Sequence, residues 1–493
     1  MGQPTVIPLH SQDDTWMNRG IALDFTVKFD QVLDPEHLRR SLDRLLEIGD
    51  WRKLGARLRL NASGQLEYHM PDRYDAQYPG FTYSTTTHSG YLNTSSDACA
   101  PALPRKPKIR YPTIFQPAAS NLDAILHRPD SPTKLEDWIY TDRPQLNIHI
   151  ATFADATLVT LTWLHTLMDA SGRASLLKAW SAIVCGREHT VPPFHGFSDD
   201  PLADVTAKPP LEWFIRLPWL LIAIQWLFPV LTWIRALCEL VRYPAYETRL
   251  VCVPGAMVTG MREQAMQELA AGDTSAAAAA ANPPFVSESD IIVAWWSHCI
   301  LRCGRPSCDQ PITILNNFNI RAVFPGRFPP SAAYIGNAWL MAYTNLRCGQ
   351  VLGQPVSHLA LKIRKSLLDQ RSKEQIYDYA YVQREGIRSA KGGFLSSMGL
   401  ADSVIHCSNW HQARFFDVDF SAAVVGSGGD DDSRRDPAFG RPSLIIPTVH
   451  CRWPSMMNLG SVIGKDAGGD WWLMWQLKKG VWREMETQLA GMR

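Results

Sequence analysis

His165 and Asp169 stand four residues apart in LVTLTWLHTLMDASGRASLLKAW, where an apolar, β-branched run gives way to a helical pattern. A neutral imidazole accepts a proton near pH 7 and returns it later, so a histidine held at a strand end beside a cavity suits a general base. Residues 158–164 read as a buried strand. From Arg173 the residues Ala174, Leu177, Trp180 and Ile183 recur at helical spacing, with Asp169 and Ser171 as candidate N-caps. A core histidine beside a capping aspartate fits the same residues, and only the rest of the chain decides between the two.

Other residues of chemical interest lie far along the chain. Arg321 sits among apolar neighbours, so it either reaches solvent at a rim or is buried against a carboxylate. The ten cysteines lack metal-ligand spacing: Cys299, Cys303 and Cys308 come nearest but match no zinc pattern, and HExxH is absent. No metal is expected, and free thiols in a reducing cytosol are the simpler account. A net charge of +1 gives no reason to expect nucleic acid as a partner. The N-terminal MGQPTVIPLHSQDD has no apolar signal region, and Val6 stands where a myristoylation site prefers serine or threonine. A cytoplasmic protein is expected.

The elements that must position these residues are mixed. At 493 residues the chain is too long for one core, so two domains are expected. IALDFTVKF alternates as a strand, PEHLRRSLDRLLEIG carries a helical stripe, and LGARLRLNASGQLEYHM is a hairpin turning at residues 61–64. PQLNIHIATFADATLVTLTWLH gives two strands, the second ending on His165. Sheet and helix together make the class α/β. The division expected is residues 1–185, a crossover over 186–246, and a second domain over 247–493.

Inside the crossover, residues 217–234 hold no charged side chain, at the lower length bound for a membrane span. Arg216 and Arg235 flank them, while Pro218 and Pro229 argue for a broken helix. A buried hairpin or a peripheral membrane contact through residues 213–240 is favoured over a true span. After it, Ser287 and Ser289 stand ahead of the apolar helix DIIVAWWSHCILRC. DWWLMWQL is a core strand with Trp472 and Trp475 on opposite faces, and Val481, Met485, Leu489 and Met492 share one face of a closing helix.

Several separated segments resemble the BAHD-type (HxxxD) acyl-CoA-dependent acyltransferases, in particular the fungal branch that includes trichothecene acetyltransferase-like proteins. HTLMD matches HxxxD, and NIRAVFPGRFPPSAAYIGNAW resembles the arginine-containing segment ending in GNA. SNWHQARFFDVDF resembles the tryptophan stretch that ends in DFGWG, and LGARL the early "aGRL" element. These marks run in the expected order over most of the chain.

The resemblance implies two similar mixed-sheet domains of chloramphenicol acetyltransferase-like type with a channel between them. His165 would take the proton from an acceptor hydroxyl or amine, which attacks the thioester carbonyl of an acyl-CoA, with no covalent acyl-enzyme. Asp169 would serve as structural support by pairing with Arg321. Acetyl-CoA is the default donor, the acceptor a hydrophobic fungal secondary-metabolite alcohol such as a terpenoid or polyketide, and the enzyme a monomer. Ser408 and Asn409, ahead of Trp410, are the candidates for oxyanion or acceptor contacts, or else hold a turn; His406 and His411 lie nearby.

Departures from the pattern are informative. DFGWG is reduced to Asp419 and Phe420, followed by Ser421, Ala422 and Ala423. Asp419 is therefore read as structural. Arg434 and Arg435 either meet coenzyme A phosphates or form a solvated cluster, and Gly440-Arg441-Pro442 resembles a displaced GKP continuation. Condensation-like or cyclising enzymes sharing the architecture double the histidine as HHxxxDG, whereas Leu164 precedes His165 and Ala170 follows Asp169 here. That favours stand-alone acyl transfer over condensation, and over a non-catalytic membrane-associated binding role.

Overall fold

The computed structural model describes residues 4–92, 103, 110–115, 122–205, 246–272, 284–380, 403–426, 436–451 and 458–491. Residues 217–234, Arg434 and Arg435 lie outside these. In chain order the strands are β1 (Thr5–Pro8), β2 (Ile21–Phe29), β3 (Arg57–Leu60), β4 (Leu66–Met70), β5 (Thr82–Thr87), β6 (Thr113–Ile114), β7 (Asn147–Thr152) and β8 (Thr157–Leu164). The second half adds β9 (Tyr246–Val253), β10 (Pro311–Asn319), β11 (Trp339–Arg347), β12 (Ser403–Asn409), β13 (Pro442–Cys451), β14 (Leu459–Lys465) and β15 (Trp471–Lys478).

They form a five-stranded sheet ordered β13-β2-β8-β7-β5, a seven-stranded sheet ordered β11-β10-β12-β14-β15-β9-β6, and a small sheet β1-β4-β3. The two larger sheets exchange edge strands. β13, from near the end of the chain, pairs antiparallel with β2, and β6 from the first half pairs with β9. A cut at residues 185 and 247 divides the sequence but does not separate the sheets.

Local sequence explains the elements that flank the site. Asp34 caps the helix Pro35–Glu47, accepting from the Glu36 and His37 amides, with Pro35 pre-set at the first helical position. Leu38, Leu42 and Leu45 of that helix, and Leu176, Leu177 and Trp180 of the helix Ala170–Val184, pack with Phe25, Val27 and Phe29 of β2. Ser287 and Asp290 form a reciprocal capping box at the helix Glu288–Gly304. In the second core Trp296 lies 6.0 Å, ring centre to ring centre, from both Trp475 and Trp482. Burying one such indole contributes about 4 to 6 kcal/mol of gross transfer free energy. Trp472 instead joins the first core, stacked on Phe115, so neighbouring tryptophans of β15 serve opposite faces of the seven-stranded sheet.

The other face of the five-stranded sheet is polar and also buried. Directly opposed residues of antiparallel strands share a face, and one rung reads Thr448, Asp24, Thr162, Asn147 across β13, β2, β8 and β7. Thr26 and Thr160 hydrogen-bond on the same face.

Candidate active site

β8 ends at Leu164, and the chain turns through residues 165–169 before the helix Ala170–Val184 begins. Asp169 is the N-cap, accepting from the Gly172 amide at 2.8 Å; Ser171 lies inside the helix rather than at its cap. The turn is held by side chains from elsewhere. Its carbonyls at His165, Thr166 and Met168 accept from Asn337 Nδ2 (2.9 Å), Tyr68 Oη (3.3 Å) and Trp163 Nε1 (3.2 Å). The His165 amide donates to the Ile21 carbonyl at 2.9 Å. Main-chain polar groups at a buried turn need such partners, and each bond also fixes where the imidazole sits.

Asp169 and Arg321 meet as a bidentate pair, Nη1 to Oδ2 at 2.9 Å and Nη2 to Oδ1 at 3.0 Å. Oδ1 also accepts from the Gly172 amide, and Oδ2 from the Ala338 amide at 2.9 Å. Arg321 Nη2 further donates to the Gly336 carbonyl at 2.5 Å. Arg321 is thus not a rim residue: its side chain is 13 % exposed and that of Asp169 5 %. The pair joins the HTLMD turn to the GNA segment, and Gly172 permits the approach. A Cβ on Gly172 would lie 1.8 Å from the Ile335 carbonyl oxygen.

His165 is partly buried, its ring centre 6.4 Å from that of Trp339. Burial pulls its pKa below the usual histidine value, opposed by its own main-chain carbonyl and by the Asp169 charge. Nδ1 is enclosed and makes no hydrogen bond of regular geometry. The imidazole is therefore held neutral, with Nε2 the ring nitrogen suited to take a proton.

The other sequence candidates fall in different places. Ser408 Oγ accepts from Trp410 Nε1 at 2.8 Å and from Asn317 Nδ2 at 3.4 Å, while Asn317 Oδ1 accepts from His406 Nε2 at 2.8 Å. Both lone pairs of the Ser408 hydroxyl are occupied, leaving its proton to donate. Asn409 is committed, its amide donating to Ser289 Oγ at 2.7 Å and its carbonyl accepting from the His411 amide at 3.1 Å. Burial lowers the His406 pKa to about 4, so this imidazole is neutral. Asp419 is not brought to His165. It lies at the far end of the helix Ala170–Val184, accepting from Ser421 and from Arg187 Nη2 at 3.2 Å, while its amide donates to Ser181 Oγ at 3.2 Å. Gly440 packs back onto Ser421, its carbonyl accepting from the Phe420 amide.

Two features were not anticipated. Asn337 donates through both its amide (2.6 Å) and Nδ2 (2.8 Å) to Asp13 Oδ1 while also holding the His165 carbonyl. Burial raises the Asp13 pKa to about 7. Arg173 is buried with its guanidinium carbon 4.0 Å from the Phe25 ring centre, 4.6 Å from Trp410 and 4.4 Å from Phe415. Desolvation lowers its pKa to about 9, opposed by Asp169. These cation–π contacts tie the Trp410 segment to the helix that follows His165. The one sequence signal was an arginine opening an apolar helical repeat.

No family model matches the chain. It is 38 % identical to acetyltransferase adrJ of Penicillium roqueforti over 98 % of this chain and 95 % of that protein. It is 34 % identical to O-acyltransferase pboC of Aspergillus ustus, with 95 % of each covered. Among solved structures, F. graminearum TRI101 complexed with coenzyme A and T-2 mycotoxin superposes with a TM-score of 0.65 at 13 % identity, covering 98 % of this chain and 97 % of that one.

Proposed function

Because the chain belongs to the fungal branch of the BAHD-type HxxxD acyltransferases and is an acyl-CoA-dependent O-acyltransferase, we propose how its residues divide the work and what they act on. His165 is the general base. Its neutral imidazole takes the proton of the acceptor hydroxyl, the oxygen attacks the thioester carbonyl, and the same nitrogen returns the proton to the coenzyme A thiolate. The Ser408 hydroxyl donates to the oxygen that becomes negative in the tetrahedral intermediate. Asp169, Arg321, Asn337 and Asp13 touch neither substrate and act by positioning the turn.

The observation that carries this reading is the bracing: three side chains and a bidentate ion pair hold one five-residue turn whose only titratable imidazole is kept neutral. Acetyl-CoA is the proposed donor, in keeping with the name of adrJ, and a hydrophobic secondary-metabolite alcohol the proposed acceptor. The enzyme is proposed to act as a cytoplasmic monomer. Among the described residues no helix is long and apolar enough to cross a membrane. Peripheral membrane contact through residues 213–240 is a separate proposal, tested by vesicle binding of the chain with and without them.

The test of function is turnover of a panel of acyl-CoAs with terpenoid and polyketide alcohols, reading thiol release and ester formation. Acetyl transfer that His165→Ala abolishes is expected. Ester formation undiminished in that variant, or formed without a thioester, overturns the assignment.

A further inference from the structure

Asp24 is 2 % exposed on the polar face of the five-stranded sheet and carries a negative charge the acyl-transfer reading does not use. Its Oδ1 accepts from the Thr162 hydroxyl at 2.6 Å. Its Oδ2 faces two imidazoles: His127 Nε2 lies 2.9 Å away, and His450 Nε2 is in hydrogen-bonding contact. All three ligand atoms lie within 4.8 Å of one another. No arginine or lysine among the described residues meets this carboxylate.

A buried carboxylate needs a cation or strong donors. Two imidazole nitrogens and one carboxylate oxygen converging on a point form a donor set suited to a first-row divalent ion, and borderline ions such as zinc favour it over oxygen-seeking magnesium or calcium. Thr162 fixes the carboxylate's orientation from behind, as outer groups around metal ligands do. We propose that Asp24, His127 and His450 bind one divalent transition-metal ion, zinc in the first instance, with a fourth position left for water or a small oxygen ligand. The site is independent of the acyl-transfer assignment.

Its placement gives it a structural role. Asp24 belongs to β2, His127 follows the short helix Asp123–Leu126, and His450 lies on β13. The ion pins the exchanged strand and the 123–127 segment onto the first sheet, two rungs from the end of β8, where His165 begins. Asp24 and His450 are 426 positions apart, so no spacing motif in the sequence announces the site.

The full chain, stripped with chelator and carrying no histidine tag, is titrated with zinc by calorimetry and with cobalt by visible absorption, and its melting temperature is read with and without zinc. One equivalent per chain, tetrahedral cobalt bands and a raised Tm are expected. Asp24→Asn and His450→Gln, both close in shape to the native residues, should weaken binding at least 100-fold, and Thr162→Val about 10- to 100-fold. Variant fold is checked by circular dichroism. If wild type takes up no stoichiometric zinc, or if Asp24→Asn and His450→Gln both bind as wild type does, the proposal is overturned. The cluster is then a hydrogen-bonded histidine–aspartate–histidine group.

Discussion

Replacing Asp169 with asparagine is the sharpest test of the bracing. Each carboxylate oxygen accepts one main-chain amide and one guanidinium N–H, Gly172 and Nη2 on Oδ1, Ala338 and Nη1 on Oδ2. Whichever way the new amide turns, its NH2 faces two donors and forfeits both bonds, and Arg321 loses its counter-charge in a site only 13 % exposed. Two charge-assisted bonds at about 1.5 to 3 kcal/mol each, or one broken buried pair, place the loss near 3 to 5 kcal/mol. If the turn relaxes by about 1 Å, kcat falls on the order of 100-fold with KM for acyl-CoA little changed. Urea unfolding and steady-state thiol release measure the two effects. Removing the guanidinium as well, in Asp169→Asn/Arg321→Gln, should cost far less than the sum of the single changes, because the second charge is no longer stranded. Wild-type stability and kcat in Asp169→Asn, or strict additivity in the double variant, would refute the argument.

Three further expectations follow from the same geometry. His165 has a lowered pKa, and only the neutral ring accepts a proton, so kcat/KM should fall with acidity through a limb below pH 6.5; a limb at or above 6.5 contradicts the burial argument. Ser408→Ala should lower kcat about 100-fold at nearly constant KM, whereas Asn409→Ala should reduce stability and leave kcat within a few-fold; the reverse pattern in kinetics and melting would exchange their roles. Gly172→Ala forces a methyl group into the Ile335 carbonyl and should cost about 1 to 3 kcal/mol in denaturant unfolding, together with activity; neutrality would mean that the two segments separate without consequence.

Much of the first sheet was legible because its strands alternate and its turns are local. IALDFTVKF forms β2 over its whole length, and the run ending on Leu164 forms β8. Periodicity also found the helix after His165, but it opens at Ala170 because Asp169 caps it. Arg321 was readable as needing a carboxylate, and motif order supplied the partner. The pairing of β13 with β2 was not readable, since hydrogen bonding between segments some 400 residues apart leaves no local period. Asn337, Asp13 and Arg173 escaped for a related reason. Their roles depend on what the fold brings to them: a main-chain carbonyl, a buried amide, and rings from two distant segments. Ser408 and Asn409 were equal candidates until each hydroxyl and amide partner could be counted.

The exchanged strand also bears on the order in which the protein is made. As the chain leaves the ribosome, β2, β8 and β7 can assemble early, but the outer side of β2 stays an unpaired edge until residue 451 of 493 has emerged. Such an edge recruits other strands, and the contact that closes it spans nearly the whole polypeptide, so its loop must close late. A nascent or truncated amino-terminal half is accordingly an aggregation-prone species rather than a free-standing module. Chaperone cover of that edge during synthesis is therefore expected to raise the yield of folded chain.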